Sequence, residues 1–353
     1  SYSMKKILLV KITSMGDLIQ MLPALTDAQN AIPGIQFDWL CEDSFKDIPI
    51  LHPSIRKIIT LPYRRWKKNI RHAIRTGEIK QFLKTLRSEK YDMIIDAQSN
   101  FKSALFALLA KGHHVGLDKT SVREYGAQFF YRKTITIDRN QNHALRMRQL
   151  LAKFLNYPLP QTPFNYGIPS SYLEKIDMPL PSRFIFLTVI ASMQYKLWPE
   201  EHWASIIEVL LQQGFDIVMP WWSSAEKERV TRLQNGHPKV HLLPPLSLKQ
   251  KAYVLSQAQG SISLDTGLAH MAAALNIPNI GLYGPNDAKY CGTMGTNQQH
   301  ITATAPDCVP CNKSRCPFIE EQSHTYAPCM VNIRPEEIQK ALNKMLAQID
   351  TTI

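Results

Sequence analysis

The sequence predicts an α/β protein built from two Rossmann-like, doubly wound domains facing a central cleft, and three observations carry that expectation. Short apolar runs of strand length alternate with helical patterns along most of the chain. The alternation occurs twice, before and after a proline-rich stretch at residues 157–182. The 353 residues also exceed what one hydrophobic core commonly organises, whereas two domains of ordinary size account for them.

Residues 6–12 read KILLVKI, an apolar run suited to a parallel strand buried on both faces. A polar turn at 13–17 opens a helical pattern at Leu18, Met21, Leu22, Leu25 and Ala28. Strand-like runs follow at 37–41, 55–61, 93–97 and 134–137, with helical segments such as 101–110 between them. Prolines at 158, 160, 163, 169, 179 and 181 can neither continue a helix nor donate to a central ladder, so an interdomain linker is expected here, at 166–182. The second alternation has strands at 184–189, 216–220, 240–243, 261–264 and 279–283 and helices at 200–213, 225–234, 249–257 and 267–275. A Cys-rich loop then leads to a last helix at 335–348, expected to pack back on the N-terminal domain. Ser1, Tyr2 and Ser3 ahead of Met4 read as an added remnant outside the fold.

Hydrophobic residues make up 44% of the chain, which places it among folded globular proteins. The formal charge of +12 favours anionic partners: phosphates, acidic membrane surfaces or nucleic acid. Clusters at Arg64, Arg65, Lys67 and Lys68 and at Arg132 and Lys133 point to local anion sites. No run approaches the roughly 20 apolar residues that span a bilayer, and a cytoplasmic location is expected.

Neither half carries a convincing dinucleotide glycine fingerprint or P-loop, so phosphates must be held differently. Residues 263–270, SLDTGLAH, join a buried strand to a helix, where free N–H groups and the positive helix end suit a pyrophosphate. There Asp265 suits sugar hydroxyls, and Thr266 with the backbone of Gly267, Leu268 and Ala269 suits phosphate; as plain structure, Asp265 or Thr266 is an N-cap and His270 a packed helix residue.

The stretch DTGLAHMAAALNIPNIGLYGPND at 265–287 resembles the donor region of the lipopolysaccharide heptosyltransferases. TSMGD at 13–17 followed by MLPAL at 21–25 resembles that family's N-terminal signature. YRRWKK at 63–68, IDAQ at 95–98 and KLWPEEHW at 196–203 resemble its heptosyltransferase I branch, so the likeness spans nearly the whole chain. It implies a GT-B fold, with an acceptor-binding domain at 1–165, an ADP-heptose-binding domain at 183–334 and a terminal helix at 335–353.

The implied reaction moves L-glycero-D-manno-heptose from ADP-heptose to Kdo of the lipid A inner core, with inversion and without a catalytic metal. By the same resemblance Asp17 is the general base, and Ser192, Lys196, Glu226, Asp265, Thr266, Gly267, Leu268 and His270 bind the donor. Arg64, Arg65, Lys67 and Lys68 match a mobile acceptor loop and Arg123 another acceptor-side cation, with Trp66 expected at a sugar or lipid edge. Ala191 departs from the family, which commonly has a second hydroxyl residue there, and the Cys-rich loop is absent from some relatives. The implied partners are ADP-L-glycero-D-manno-heptose, Kdo-lipid A and the anionic cytoplasmic face of the inner membrane, with no nucleic acid. Three alternatives remain open: an enzyme using a heptose acceptor, a GT-B-like nucleotide-sugar epimerase, and a nucleotide-sugar-binding module needing no base at Asp17.

Six cysteines in a cytosolic chain argue against a disulfide framework. Cys308, Cys311, Cys316 and Cys329 have spacing compatible with a four-thiolate structural metal, zinc first and iron second, and reduced unligated thiols are the alternative.

Overall fold

The structure, a computed structural model, describes residues 6–322 and 324–351; the remnant expected at 1–3 lies outside them. The chain divides into two units, residues 1–169 and 170–353.

The first unit holds six parallel strands: β1 (Lys6–Val10), β2 (Gln36–Glu42), β3 (Ile55–Leu61), β4 (Lys90–Asp96), β5 (Lys111–Leu117) and β6 (Lys133–Ile135). Their order is β3-β2-β1-β4-β5-β6. The second unit repeats the plan with β7 (Phe184–Thr188), β8 (Asp216–Met219), β9 (Val240–Leu242), β10 (Gly260–Leu264), β11 (Asn279–Tyr283) and β12 (Gln298–Thr302), ordered β12-β11-β10-β7-β8-β9. In each sheet the strand order reverses beside the first strand, at β1/β4 and at β7/β10. These reversals open crevices at the carboxyl ends of the strands, where doubly wound folds bind ligands.

The strands are apolar because both faces are covered: FIFLT in β7 and NIGLY in β11 are buried at every position. The helix Glu200–Gln212 buries Trp203, Ile206, Ile207 and Leu210, a spacing of three and four that turns one stripe to the sheet. Two strands are additions to the sequence reading. β5, KGHHVGL, lacks a simple apolar run, and its Gly116 makes room for the Tyr131 ring, which a Cβ would strike. β12, QQHIT, is a half-buried edge strand and correspondingly polar.

The terminal helix, Pro335–Thr351, contributes Ile338, Ala341, Leu342, Met345 and Ile349 to the core of the second unit, against helix Glu200–Gln212, β11 and β12. One expectation is corrected. The segment read as a mobile acceptor loop is helical at Tyr63–Lys68 and again at Ile70–Arg75, because Trp66 anchors it. Trp66 is 6% exposed and packs edge-on against Phe82 with ring centroids 5.5 Å apart, so it is a core residue and not a sugar or lipid contact.

Candidate active site

In the first unit Asp17 follows β1, in the first turn of the helix Met15–Ile19, where its Oδ2 accepts a 3.1 Å bond from the Ser14 N–H. Beside it, β4 ends in Asp96, wholly buried and accepting from Gln98 N, Ser99 N, Ser103 Oγ and Tyr131 Oη. Gln98 ties the two loops together: its Oε1 accepts from Ile12 N and Thr13 N, and its Nε2 donates to Thr13 Oγ1. Ser99 Oγ accepts from Arg123 N, fixing the backbone of that cation. The IDAQ residues therefore brace the site on which Asp17 stands.

Sequence reading missed two residues here. Lys11, 2% exposed, donates from Nζ to Ala97 O at 3.0 Å and lies 2.9 Å from His143 Nε2. His143 Nε2 is in turn 3.8 Å from Asp17 Oδ1. An ammonium can only donate, so with Lys11 charged the histidine accepts at Nε2 and is neutral. Whichever of the two carries the proton, positive charge lies beside Asp17. Burial lowers the Lys11 pKa to about 8, against the attraction of Asp17 and Asp96. For Asp17, burial works against ionisation, but His143, Lys11, the Ser14 N–H and Arg123 outweigh it and hold the carboxyl below its ordinary value. The signal was present in the sequence as a lysine inside KILLVKI; His143 lies 132 residues away and had none.

The other acceptor candidates divide. Arg123, Lys67 and Lys68 are exposed, and Arg123 is close enough to Asp17 to act on its charge. Arg64 lies over the Phe45 ring, 5.7 Å from its centroid. Arg65 already grips Glu78 at 2.6 and 2.8 Å, and that carboxylate also accepts from Trp66 Nε1, so its guanidinium serves the local fold.

In the second unit, Lys196 follows β7 and Asp265 follows β10, across the switch point. Lys196 Nζ donates to Asp265 O at 3.2 Å and lies 3.4 Å from Asp265 Oδ2, which also accepts from Asn286 Nδ2 at 2.9 Å. Thr266 is the N-cap of the helix Gly267–Ala274, yet its side chain makes no capping bond and its buried Oγ1 has no hydrogen-bond partner among the described residues. The buried Thr188 Oγ1, at the end of β7, likewise has none. A helix start with an unsatisfied hydroxyl, open N–H groups and an adjacent ammonium is a ready anion site. Leu268 and His270 are buried, so their backbone belongs to that helix entrance while their side chains pack. Ser192 is exposed on the loop leading to Lys196.

Glu226 follows β8 at the third position of the helix Ser224–Gln234, in a capping box with Ser223. Both backbone bonds, from Trp222 N and Ser223 N at 2.9 Å, fall on its Oε1. Nearby the nearly buried Lys251 places its amine 3.5 Å from the Trp222 ring centroid. Burial lowers that lysine to about 8, against the pull of Glu226.

The four loop cysteines differ in burial: Cys308 is exposed, Cys311 and Cys316 half-buried, Cys329 buried. Among the described residues no three His, Cys, Asp or Glu side chains stand close enough to hold a metal ion. The thiols are still near enough to influence one another, since burial first, then Cys316, Cys311 and Cys308, push Cys329 up to about 12. No helix among the described residues is long and apolar enough to cross a membrane.

Comparison with known proteins fits this geometry. Residues 79–321 match the profile of Glycosyltransferase family 9 (heptosyltransferase). The chain is 38% identical to the lipopolysaccharide heptosyltransferase 1 of Pseudomonas aeruginosa, over 98% of this chain and 99% of that one. The fold matches E. coli heptosyltransferase WaaC with ADP at a TM-score of 0.84 and 36% identity, covering 96% of this chain and 99% of that one. It matches the same enzyme with ADP-2-deoxy-2-fluoro heptose at 0.81 and 35%, with the same coverage. Two doubly wound units, each with its family motifs at the switch point, and a likeness of this extent establish that the chain is a GT-B glycosyltransferase belonging to family 9, the heptosyltransferases.

Proposed function

We propose that the chain transfers L-glycero-D-manno-heptose from ADP-heptose to Kdo of the lipid A inner core, with inversion. In this reading Asp17 takes the proton of the acceptor hydroxyl as its oxygen bonds to the anomeric carbon, and the bond from that carbon to ADP breaks. Lys196, Thr266 and the backbone N–H groups at Gly267 and Leu268 meet the charge that develops on the departing diphosphate. Asp265 and Glu226 take sugar and ribose hydroxyls, with Ser192 beside them. With those donors in place the transfer needs no divalent metal. Arg64, Lys67, Lys68 and Arg123 meet acceptor anions, while Arg65 acts through the fold. The observation that carries the reading is Lys196 held against Asp265 at a helix start whose capping hydroxyl is unsatisfied.

The test is product analysis with ADP-heptose and defined acceptors in the presence of a chelator. One heptose added to Kdo-lipid A with release of ADP is expected, and no turnover with donor alone. Transfer only to an already heptosylated acceptor, or epimerisation of the donor, overturns it.

The enzyme is further read as a cytoplasmic protein working at the inner membrane, where such an acceptor resides. The Cys308, Cys311, Cys316 and Cys329 thiols are read as a structural zinc or iron site that forms when the loop draws in around the ion, satisfying four thiolates with no open position for chemistry. Protein purified without chelator is expected to carry about one metal ion per chain, and Cys311→Ser to lower both metal content and Tm. Metal-free protein with undiminished stability would exclude this.

A further inference from the structure

Of the fourteen large hydrophobic side chains exposed among the described residues, seven lie between residues 70 and 129 of the first unit. The helix Phe101–Leu109 turns the small residues Ser103, Ala104 and Ala107 inward and exposes Phe101, Leu105 and Leu108, at 47, 43 and 43%. That spacing of four and three forms one apolar stripe on the face a surface helix normally fills with polar groups. The turn Ala127–Phe130 adds Phe129, 76% exposed, edge-on to Tyr125, 69% exposed, with ring centroids 6.2 Å apart. A Cβ at Gly126 would lie 2.9 Å from the Phe101 ring, so this aromatic pair is seated on the end of the stripe.

The surroundings are cationic. Arg123 and Arg132 flank the aromatic turn and are exposed, and the Lys102 amine lies 4.0 Å from the centroid of the Tyr63 ring. The neighbouring stretch 64–87 carries nine Lys and Arg against one acid, Glu78. It adjoins the stripe through Phe82, whose ring packs edge-on against Phe106 at 5.5 Å.

We propose that this face docks on an anionic lipid bilayer, the leucines and aromatic rings entering the headgroup boundary while the surrounding cations meet acidic headgroups. Projecting Leu and Phe with Lys and Arg around them are the signature of interfacial binding. A second copy of the chain fits less well, because a self-complementary interface would bring this cationic region toward itself. The inference rests on the reading that the acceptor is lipid-borne, since the face then carries Arg123 and the Tyr63–Lys68 helix to the surface in which such an acceptor is anchored.

The test uses co-sedimentation of the whole protein with vesicles of phosphatidylglycerol and phosphatidylethanolamine, and with phosphatidylcholine alone. Binding to the anionic vesicles that weakens with salt is expected, and about tenfold loss in Leu105→Glu/Phe129→Glu. Both side chains are exposed, so the variant should keep its circular dichroism and its transfer rate to a lipid-free Kdo acceptor. Equal binding of variant and wild type, or equal binding of wild type to neutral vesicles, overturns the proposal. So does a dimer in sedimentation equilibrium that the variant abolishes, without vesicle binding. Failure of wild type on the lipid-free acceptor, with vesicle binding intact, counts against the transferase reading alone.

Discussion

At the start of helix Met15–Ile19 the Asp17 carboxylate gives one oxygen to the Ser14 N–H and has the other 3.8 Å from His143 Nε2. Capping and proton abstraction are thus separable by substitution. Asp17→Asn keeps an acceptor for the N–H but cannot take a proton, so kcat is expected to fall by about 10²–10⁴-fold with little change in Tm. A rate near wild type removes Asp17 as base. The positive charge shared by Lys11 and His143 acts on the same group. It favours ionised Asp17, so its removal should raise the Asp17 pKa and move the acid limb of kcat/KM to higher pH. His143→Gln, which keeps polar contacts, and Lys11→Met are the variants to compare; an acid limb that stays in place in both shows that neither controls Asp17. These residues mark the limit of what was legible at this scale. Asp17, Lys196 and Asp265 could be named because they sit in motifs that resemble a family, whereas His143 reaches the site only through folding.

The elements that sequence reading located best are those buried on both faces, such as β1 and β7, where burial forces an unbroken apolar run. It passed over β5, whose Gly116 answers to the Tyr131 ring, and β12, whose outer edge faces no neighbouring strand. The basic segment Tyr63–Lys68 was legible as charge but not as structure, since its helix is anchored by Trp66 packing edge-on against the distant Phe82. That packing also separates its arginines. Arg64→Ala removes a cation that pairs with no carboxylate among the described residues, and is expected to raise the acceptor KM several-fold with the donor KM unchanged. Arg65→Ala breaks the pair with Glu78; because that pair lies at the surface, its loss should lower Tm only slightly. Initial-rate kinetics and thermal melts of the two variants check this; an acceptor KM that rises equally in both assigns the two arginines the same role.

Across the molecule, donor and acceptor candidates are segregated by unit. Ser192, Lys196, Glu226 and the 265–270 turn all lie in residues 170–353, while Asp17 and the cationic acceptor residues lie in 1–169. The second unit has a core of its own, closed by the helix Pro335–Thr351. Met345 of that helix approaches the backbone of β10 so closely that a Cβ at Gly260 would lie 2.8 Å from its Cε. Residues 170–353 expressed alone are therefore expected to fold and to bind ADP without transferring heptose. Ending the same fragment at residue 334 removes Ile338, Ala341, Leu342, Met345 and Ile349 from the core. Burial of those five side chains contributes on the order of 5–10 kcal/mol, an upper estimate comparable with the whole stability of a domain. The shortened fragment should lose its cooperative melt and its ADP binding together, read by circular dichroism and calorimetric titration. If it melts as the longer fragment does, the helix is an appendage to the second core; if the longer fragment folds yet binds no ADP, the donor site draws on residues outside 170–353.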